Sequence, residues 1–445
     1  RSGGRLPLSA AMRPGPDRAA LIKCLPMSET MTMNAPLTAA DGETLKVKLA
    51  RERRNKQLKA IALVAPLALF LLLTFLVPIA MLLKRSVDNP EVITYLPQTS
   101  AEIASWDRRG LPSEAVFAAM ARDLTVAKEQ KTVSEISKRL NMDISGFRSL
   151  IQRSARKMPL EVAAGESVRD QFIAMDERWG DPDHWHVIAK NAKSWTPYYL
   201  YSSLDLRETK AGTPELAPEE ERAFLSIFGR TLWMSMWITL ISVLLGYPIA
   251  YWLANLPARK SNLLMILVLL PFWTSVLVRI AAWIVLLQNN GLVNRFLIWV
   301  GATDTPIPLL FNRLGVIIAM VHILLPFMIL PLYSVMKSVP PNYLRAAISL
   351  GSPPLAGFFR VYLPQTYPGV AAGGLLVFIT CIGYYVTPAL LGGPADQMLS
   401  YYVAQYTNVE VNWGMACALG GVLLTATMVL YALYRKVAKA ELSLG

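Results

Sequence analysis

Few residues of this 445-residue chain have the types and spacing that carry chemistry. The stretch DPDHWH sets His184 and His186 beside Asp181 and Asp183, the donor types of a metal site. Two histidines two positions apart share one face of a strand but not of a helix, and no third His or Cys lies nearby. The stretch is therefore expected to be a surface loop, with no metal. No G-x-x-x-x-G-K-[ST], H-E-x-x-H, G-x-S-x-G or paired-cysteine motif occurs, so no catalytic group and no cofactor is expected. The remaining candidates lie in apolar surroundings. Arg279 stands in PFWTSVLVRIAAW, and a charge inside a membrane span costs roughly 2.5 kcal/mol or more on insertion scales, which marks it as a site. It either lines a solute path or pairs with a polar group of a partner chain, or else it snorkels or braces a helix contact inside the bundle. His322 is expected to pack with a hydrogen bond.

The elements that must position these residues are long apolar stretches. The chain is 53% hydrophobic and 17% charged, against about 25% charged for soluble domains. Six stretches suit a membrane span of roughly 20 residues: Ile61–Leu83, Thr231–Leu256, Asn262–Leu287, Leu314–Met336, Val370–Leu391 and Asn412–Tyr434. The fold class is all-α, a polytopic membrane protein of six transmembrane helices. The net charge of +13 divides into +7 for residues 1–59, −2 for 84–225 and +8 for 226–445. The surplus flanks the spans, where Lys and Arg set orientation, so the lipid bilayer and not nucleic acid is the expected partner. RERRNKQLK before the first span places both termini in the cytoplasm.

The domain boundaries follow. Residues 1–59 form a disordered, basic cytoplasmic tail, and residues 60–83 the first transmembrane helix. Residues 84–227 form a mainly helical extracytoplasmic insert, 228–437 a five-helix core, and 438–445 a short cytoplasmic tail. The chain opens at Arg1 ahead of Met12, Met27, Met31 and Met33, and residues 1–50 are set aside from the fold. Within the insert Val116, Met120 and Leu124 recur at helical spacing behind a possible Ser113 cap; Val133, Ile136 and Leu140 follow; Ile144, Phe147, Leu150 and Ile151 come after a possible Asp143 cap. Residues 289–301 are read as a short amphipathic helix at the outer surface, and Tyr401, Tyr402 and Tyr406 as part of an interfacial belt. Gly369/Gly373 and Ala416/Gly420 allow close helix contact, while Gly383 and Pro388 loosen the fifth span.

Between the fourth and fifth spans lies a polar break, residues 338–368. In NYLRAAISLGSPPLAGFFRVYLPQTYP the residues Ala346, Ala347, Gly351, Leu363 and Pro364 have the spacing A-A-x-x-x-G-x₁₁-L-P. The stretch reads as a helix Tyr343–Leu350, a turn at Gly351 to Pro354, and a second helical piece that ends before Pro364. The spacing resembles the EAA loop of the inner-membrane permease subunits of ABC importers. YYVTPALLGG and PFWTSVLVR are similar to the polyamine (spermidine/putrescine) branch of that family, over about residues 226–440. The resemblance implies a type I importer permease, itself no enzyme, in the bacterial inner membrane. Its loop, with Arg345 where the family has glutamate, would dock on a separate ATP-binding cassette ATPase. A second, different permease chain and an extracytoplasmic solute-binding protein complete the implied assembly.

The solute is harder to read. A polyamine path should offer carboxylates or aromatic faces, and residues 226–445 hold only Asp304, Asp396, Glu410 and Glu441, none in an expected span. Aromatic faces hold cations by roughly 0.5–2 kcal/mol, so Tyr384, Tyr385, Trp273 and Trp283 join Arg279 as path candidates. The alternative is another small organic ion or amino acid derivative. An ion-coupled secondary transporter would use carboxylates in its spans, and their absence counts against it.

Overall fold

The structure, a computed structural model, describes residues 45–160, 167–209 and 213–443; the expectations for residues 1–44, Cys24 among them, fall outside these. Two compact bodies are present, residues 1–76 and 77–445. In the first, α1 (Leu45–Leu71) passes into a π-turn at Leu72–Leu76. Residues 45–59, expected in the disordered tail, are thus helical, because Leu, Arg, Lys, Glu and Gln all favour helix. From Arg51 to Leu76 every side chain is exposed, as in a helix whose apolar surroundings are lipid.

Six helical stretches are long and apolar enough to cross a membrane: Arg51–Arg85, Phe224–Asn255, Val276–Trp299, Arg313–Ser338, Pro354–Ile382 and Trp413–Lys436. The second body opens with α2 (Val77–Arg85) and then the 84–227 segment, whose main helices are α3 (Glu114–Glu129), α4 (Val133–Leu140), α5 (Phe147–Arg156) and α6 (Pro182–Asn191). This segment has its own core, with Phe117, Met120, Phe172, Trp179 and Trp185 at 0% exposure. Two of its buried indoles are satisfied, Trp179 donating to Ser154 Oγ at 2.9 Å and Trp185 to the Trp179 carbonyl at 3.0 Å.

Two expectations for this segment are corrected. DPDHWH is not a loop: Asp181 caps α6 through the Asp183 amide at 2.9 Å and Pro182 opens it, the sequence signature of a helix start. Asp143 caps nothing; α5 starts after Gly146 at φ +92°, and the Asp143 carboxylate instead receives Arg139, Lys190 and Asn191 at 2.9–3.1 Å.

The 84–227 segment is fastened to one end of the bundle. After a two-stranded hairpin, β1 (Leu206–Glu208) with β2 (Pro214–Leu216), Asp205 accepts from the Ala223, Phe224 and Leu225 amides at 2.8–3.1 Å. It thereby caps α7 (Phe224–Asn255), whose first amides have no helical partner. Lys138 donates to the Glu410 carbonyl at 2.6 Å. The Tyr199 ring lies so close to Gly414 that a Cβ there would stand 2.4 Å from it.

The bundle continues with α8 (Ala258–Leu269), α9 (Val276–Leu287), α10 (Leu292–Trp299), α11 (Arg313–Ser338), α12 (Asn342–Ser349), α13 (Leu363–Ile382), α14 (Val386–Leu391), α15 (Leu399–Asn408) and α16 (Trp413–Ser443). Asn262–Leu287, read as one span, is broken: α8 gives way to a 3₁₀ turn at Leu270–Trp273 before α9 begins, since Pro271 lacks the donor that would continue the helix. At the centre, α7 and α13 close on α11 through glycines. Added Cβ atoms at Gly246 and Gly373 would each fall 2.9 Å from Met328, and one at Gly369 3.0 Å from Val335. Gly369 and Gly373 therefore give the close helix contact their spacing predicts.

Two outcomes test this description. Gly414→Val should force Tyr199 from its seat, costing about 1–3 kcal/mol as overpacking does; a lower Tm in detergent and faster trypsin cleavage within residues 84–227 are expected. Arg178, donating to both Asp176 oxygens at 2.8 Å, holds that carboxyl down at about 2 from its ordinary 3.8. The unfolded chain therefore takes up this proton first as pH falls. The stabilisation is complete above about pH 4 and is lost towards pH 2. Thermal unfolding across that window should lose this component of its pH dependence in Asp176→Asn.

Candidate functional site

The turn between α11 and α13 sits at the end of the bundle opposite Asp205 and Tyr199. Helix α12 ends in a tight αL cap: Gly351 has φ +89°, its amide donates to the Ile348 carbonyl, and the Ser352 amide to the Ala347 carbonyl, both at 3.0 Å. This paired arrangement satisfies the last carbonyls of a helix and needs a residue without Cβ strain. The exposed surface of the turn carries Tyr343, Arg345, Ala346, Leu350 and Leu355, with Leu350 89% exposed. Ala347 faces the other way. It and Leu344 close on Gly357, where an added Cβ would stand 3.8 Å and 3.1 Å from their side chains. Ala346 thus belongs to the outer surface and Ala347 to the contact that holds α12 against the following helix.

That following helix does not stop before Pro364. It runs from Pro354 through a π-turn at Phe358–Tyr362 into α13, unbroken to Ile382. The wider turn accommodates the proline, which removes one hydrogen bond and crowds the carbonyl four residues before it. Leu363 is half-buried and Pro364 exposed at this junction.

The second group of candidates lies within the bundle, where three elements meet at one level. Trp283 on α9 donates its indole N–H to His322 Nδ1 on α11 at 3.2 Å, the rings edge to face at 5.4 Å. In neutral His322 the proton therefore sits on Nε2. His322, expected to be packed, is exposed. Arg279, one turn before Trp283, is half-buried, and its Nε has no hydrogen-bond partner. Tyr384 follows the break in the fifth stretch: α13 stops at Ile382, Gly383 and Tyr384 turn back on the Ile379 and Cys381 carbonyls, and α14 restarts at Val386. The Tyr384 hydroxyl is buried without a partner, while its freed carbonyl accepts from Ser400 Oγ at 2.8 Å.

Trp283 thus meets His322, with Arg279 one turn away on the same helix, while Tyr384 stands at the break in the fifth stretch. Trp273, 74% exposed at the first break, and Tyr385, 42% exposed at the second, make no side-chain hydrogen bond or ring contact.

Sequence reasoning missed the groups that secure the second break. Arg230 on α7 donates twice to the Gln397 carbonyl, at 2.6 and 3.0 Å, and Thr231 Oγ1 accepts the Leu399 amide at 2.9 Å. Arg313 pairs with Asp396 at 2.9 Å. The signal was a charged or hydroxylated residue at the first turn of each apolar stretch, which reads equally as a flank. Among the described residues no cluster of three His, Cys, Asp or Glu side chains could hold a metal.

Replacing Gly351 by valine should open the cap of α12, at a cost of roughly 1–2 kcal/mol for the left-handed conformation. Hydrogen exchange should then be several-fold faster at residues 351 and 352 and unchanged in α11.

Residues 242–441 match the family described as Binding-protein-dependent transport system inner membrane component. The spermidine/putrescine transport system permease protein PotB of Escherichia coli is 38% identical over 196 residues, 44% of this chain and 71% of that protein. The inner membrane ABC transporter permease protein YdcU of Escherichia coli is 32% identical over 217 residues, 45% of this chain and 68% of that protein. Among solved structures, a chain of a bacterial alginate ABC transporter in complex with alginate pentasaccharide-bound periplasmic protein aligns at 17% identity, with a TM-score of 0.41. That alignment covers 49% of this chain and 78% of the other. Residues 84–227 fall outside the family match. A multi-pass helical chain with this match, and with more than two thirds of PotB covered, belongs to the family of binding-protein-dependent transport system inner membrane components, the permease subunits of ABC importers.

Proposed function

We propose that this permease subunit carries a polyamine such as spermidine or putrescine inward across the bacterial inner membrane. The observation that carries the reading is the 38% identity to PotB over most of that protein's length. The cytoplasm lies on the side of the 342–353 turn, with both termini, and residues 84–227 lie outside. ATP is hydrolysed on separate cassette subunits, which grip the exposed surface of α12. Ala346 and Arg345 meet the ATPase directly; Ala347, Gly351, Leu363 and Pro364 hold the shape of the turn and its joint with α13. A second, different permease chain completes the path, and a solute-binding protein delivers to the outer side.

In the path, Trp283 and Tyr384 offer ring faces at the level where the fifth stretch breaks, with Tyr385 and Trp273 exposed at the two breaks. Non-helical backbone at membrane depth is tolerated where it lines a cavity or is covered by protein, which supports placing the solute there. Each ring face can contribute roughly 0.5–2 kcal/mol to an ammonium group as it sheds water.

The experiment is affinity capture of the tagged chain from detergent-solubilised membranes, with uptake of labelled spermidine and putrescine by cells expressing the whole system. Wild type should recover an ATP-binding subunit and take up one of the two labels. Gly351→Val combined with Ala347→Leu should lose the ATPase and abolish uptake. Arg345→Glu should weaken capture several-fold if the ATPase presents an acid there, and unchanged capture removes that charge pair from the reading. Uptake of neither polyamine, with the ATPase still captured, would leave an importer for another small organic ion.

A further inference from the structure

Arg279 is the one charged residue in the stretches of residues 226–445 that the sequence marks as spans, and among the described residues no carboxylate pairs with it. Of the four carboxylates in that region, Asp304, Asp396, Glu410 and Glu441, none lies within a candidate span. Asp396 is committed to Arg313 at 2.9 Å, and Glu410 accepts from Gln405 at 3.3 Å. Arg279 is half-buried, with its Nε covered and without a partner. Neither His322 nor Tyr384 carries a charge that could balance it. His322 already uses Nδ1 to accept from Trp283, and the Tyr384 hydroxyl stands buried with no bond of its own.

The surroundings say where the missing charge comes from. His322 is exposed although it lies well inside the 26-residue apolar helix Arg313–Ser338. An exposed imidazole beside an uncompensated guanidinium is costly against lipid, so this face is covered by protein or by the solute path. A solute that is itself a polycation repels Arg279 and cannot serve as its counter-ion. A buried charge with no partner is strongly unfavourable, whereas a paired and hydrogen-bonded one is tolerated.

We infer that Arg279 forms an ion pair with a carboxylate on a membrane helix of the second permease subunit, across the face that presents Trp283, His322 and Tyr384. This rests on the reading of the chain as one of two different permease chains. The pair would orient the two subunits about the path and leave the aromatic faces to the solute.

The test uses the whole importer, co-expressed and captured through the tagged chain, with Arg279→Met, Arg279→Lys and Arg279→Glu, beside the tagged chain expressed alone. The isolated Arg279→Met chain should match or exceed wild type in Tm, since the charge has no partner within the chain. In the assembly the same change should lower recovery of the second permease several-fold. Arg279→Lys should retain assembly, and Arg279→Glu should reduce it at least tenfold. Selection for restored uptake in Arg279→Glu should return replacements of one Asp or Glu in a span of the second permease by a neutral or basic residue.

A lower Tm for the isolated Arg279→Met chain would overturn the inference, because Arg279 would then brace its own bundle. Full assembly in Arg279→Glu with an altered solute preference would overturn it too, placing the residue against the solute. If wild type captures an ATPase but only further copies of itself, the pair cannot form and the inference falls while the importer reading stands. If it captures neither, both fall.

Discussion

Hydrocarbon supplies no hydrogen bonds, and that constraint governs this molecule. Every donor or acceptor carried into the apolar stretches has to be met by the protein or by what passes through it. Most of the chain complies by remaining helical. The two places where it does not, Leu270–Ser275 and Gly383–Tyr385, fall in two different spans. The second is answered from neighbouring elements. Ser400 reaches the Tyr384 carbonyl, and Arg230 and Thr231 hold the backbone of Gln397 and Leu399. Polar atoms left without a partner include Ser235 and Ser242 Oγ inside α7 as well as Arg279 Nε, the Tyr384 hydroxyl and Thr387 Oγ1 beside these breaks.

Around that irregular level the packing is tight and ordinary in its physics. Lipid tails are as apolar as leucine, so helices gain little by hiding apolar surface from one another and associate through close fit. Gly246, Gly369 and Gly373 let α7 and α13 approach α11 to within a side chain's thickness. The 84–227 segment obeys different rules. It buries aromatic residues as a water-soluble domain does, with the indole N–H groups of Trp179 and Trp185 satisfied, and it meets the bundle through a helix cap, a lysine on a carbonyl and a ring on a glycine.

Much of this was legible in the sequence because the apolar stretches are long and carry so little charge. Helical spacing in the insert also read correctly at Val116, Met120 and Leu124, all buried. The misreadings have physical causes. Asn262–Leu287 looked continuous because hydropathy does not register the donor that Pro271 lacks. The helix after Pro354 was ended too early because proline was taken to stop it, whereas a π-turn absorbs it. Asp143 has the composition of a cap but is claimed by Arg139, Lys190 and Asn191, partners that only tertiary structure brings near. The contact of Trp283 with His322 was likewise beyond reach, since nothing in a linear pattern says which faces of two spans meet.

The helix Pro354–Ile382 has a mechanical consequence. Its 29 residues make a rod about 43 Å long, rooted in the turn that closes on Ala347 and ending at the joint Gly383–Tyr385. Its irregular points, the π-turn at Phe358–Tyr362 and the prolines Pro364 and Pro368, lie towards the turn, and the remainder to Ile382 is regular helix. Tilting it by about 10° about its midpoint moves each end by about 4 Å, roughly the width of a methylene group. A displacement of the turn would therefore be carried along the helix towards the joint beside Tyr384.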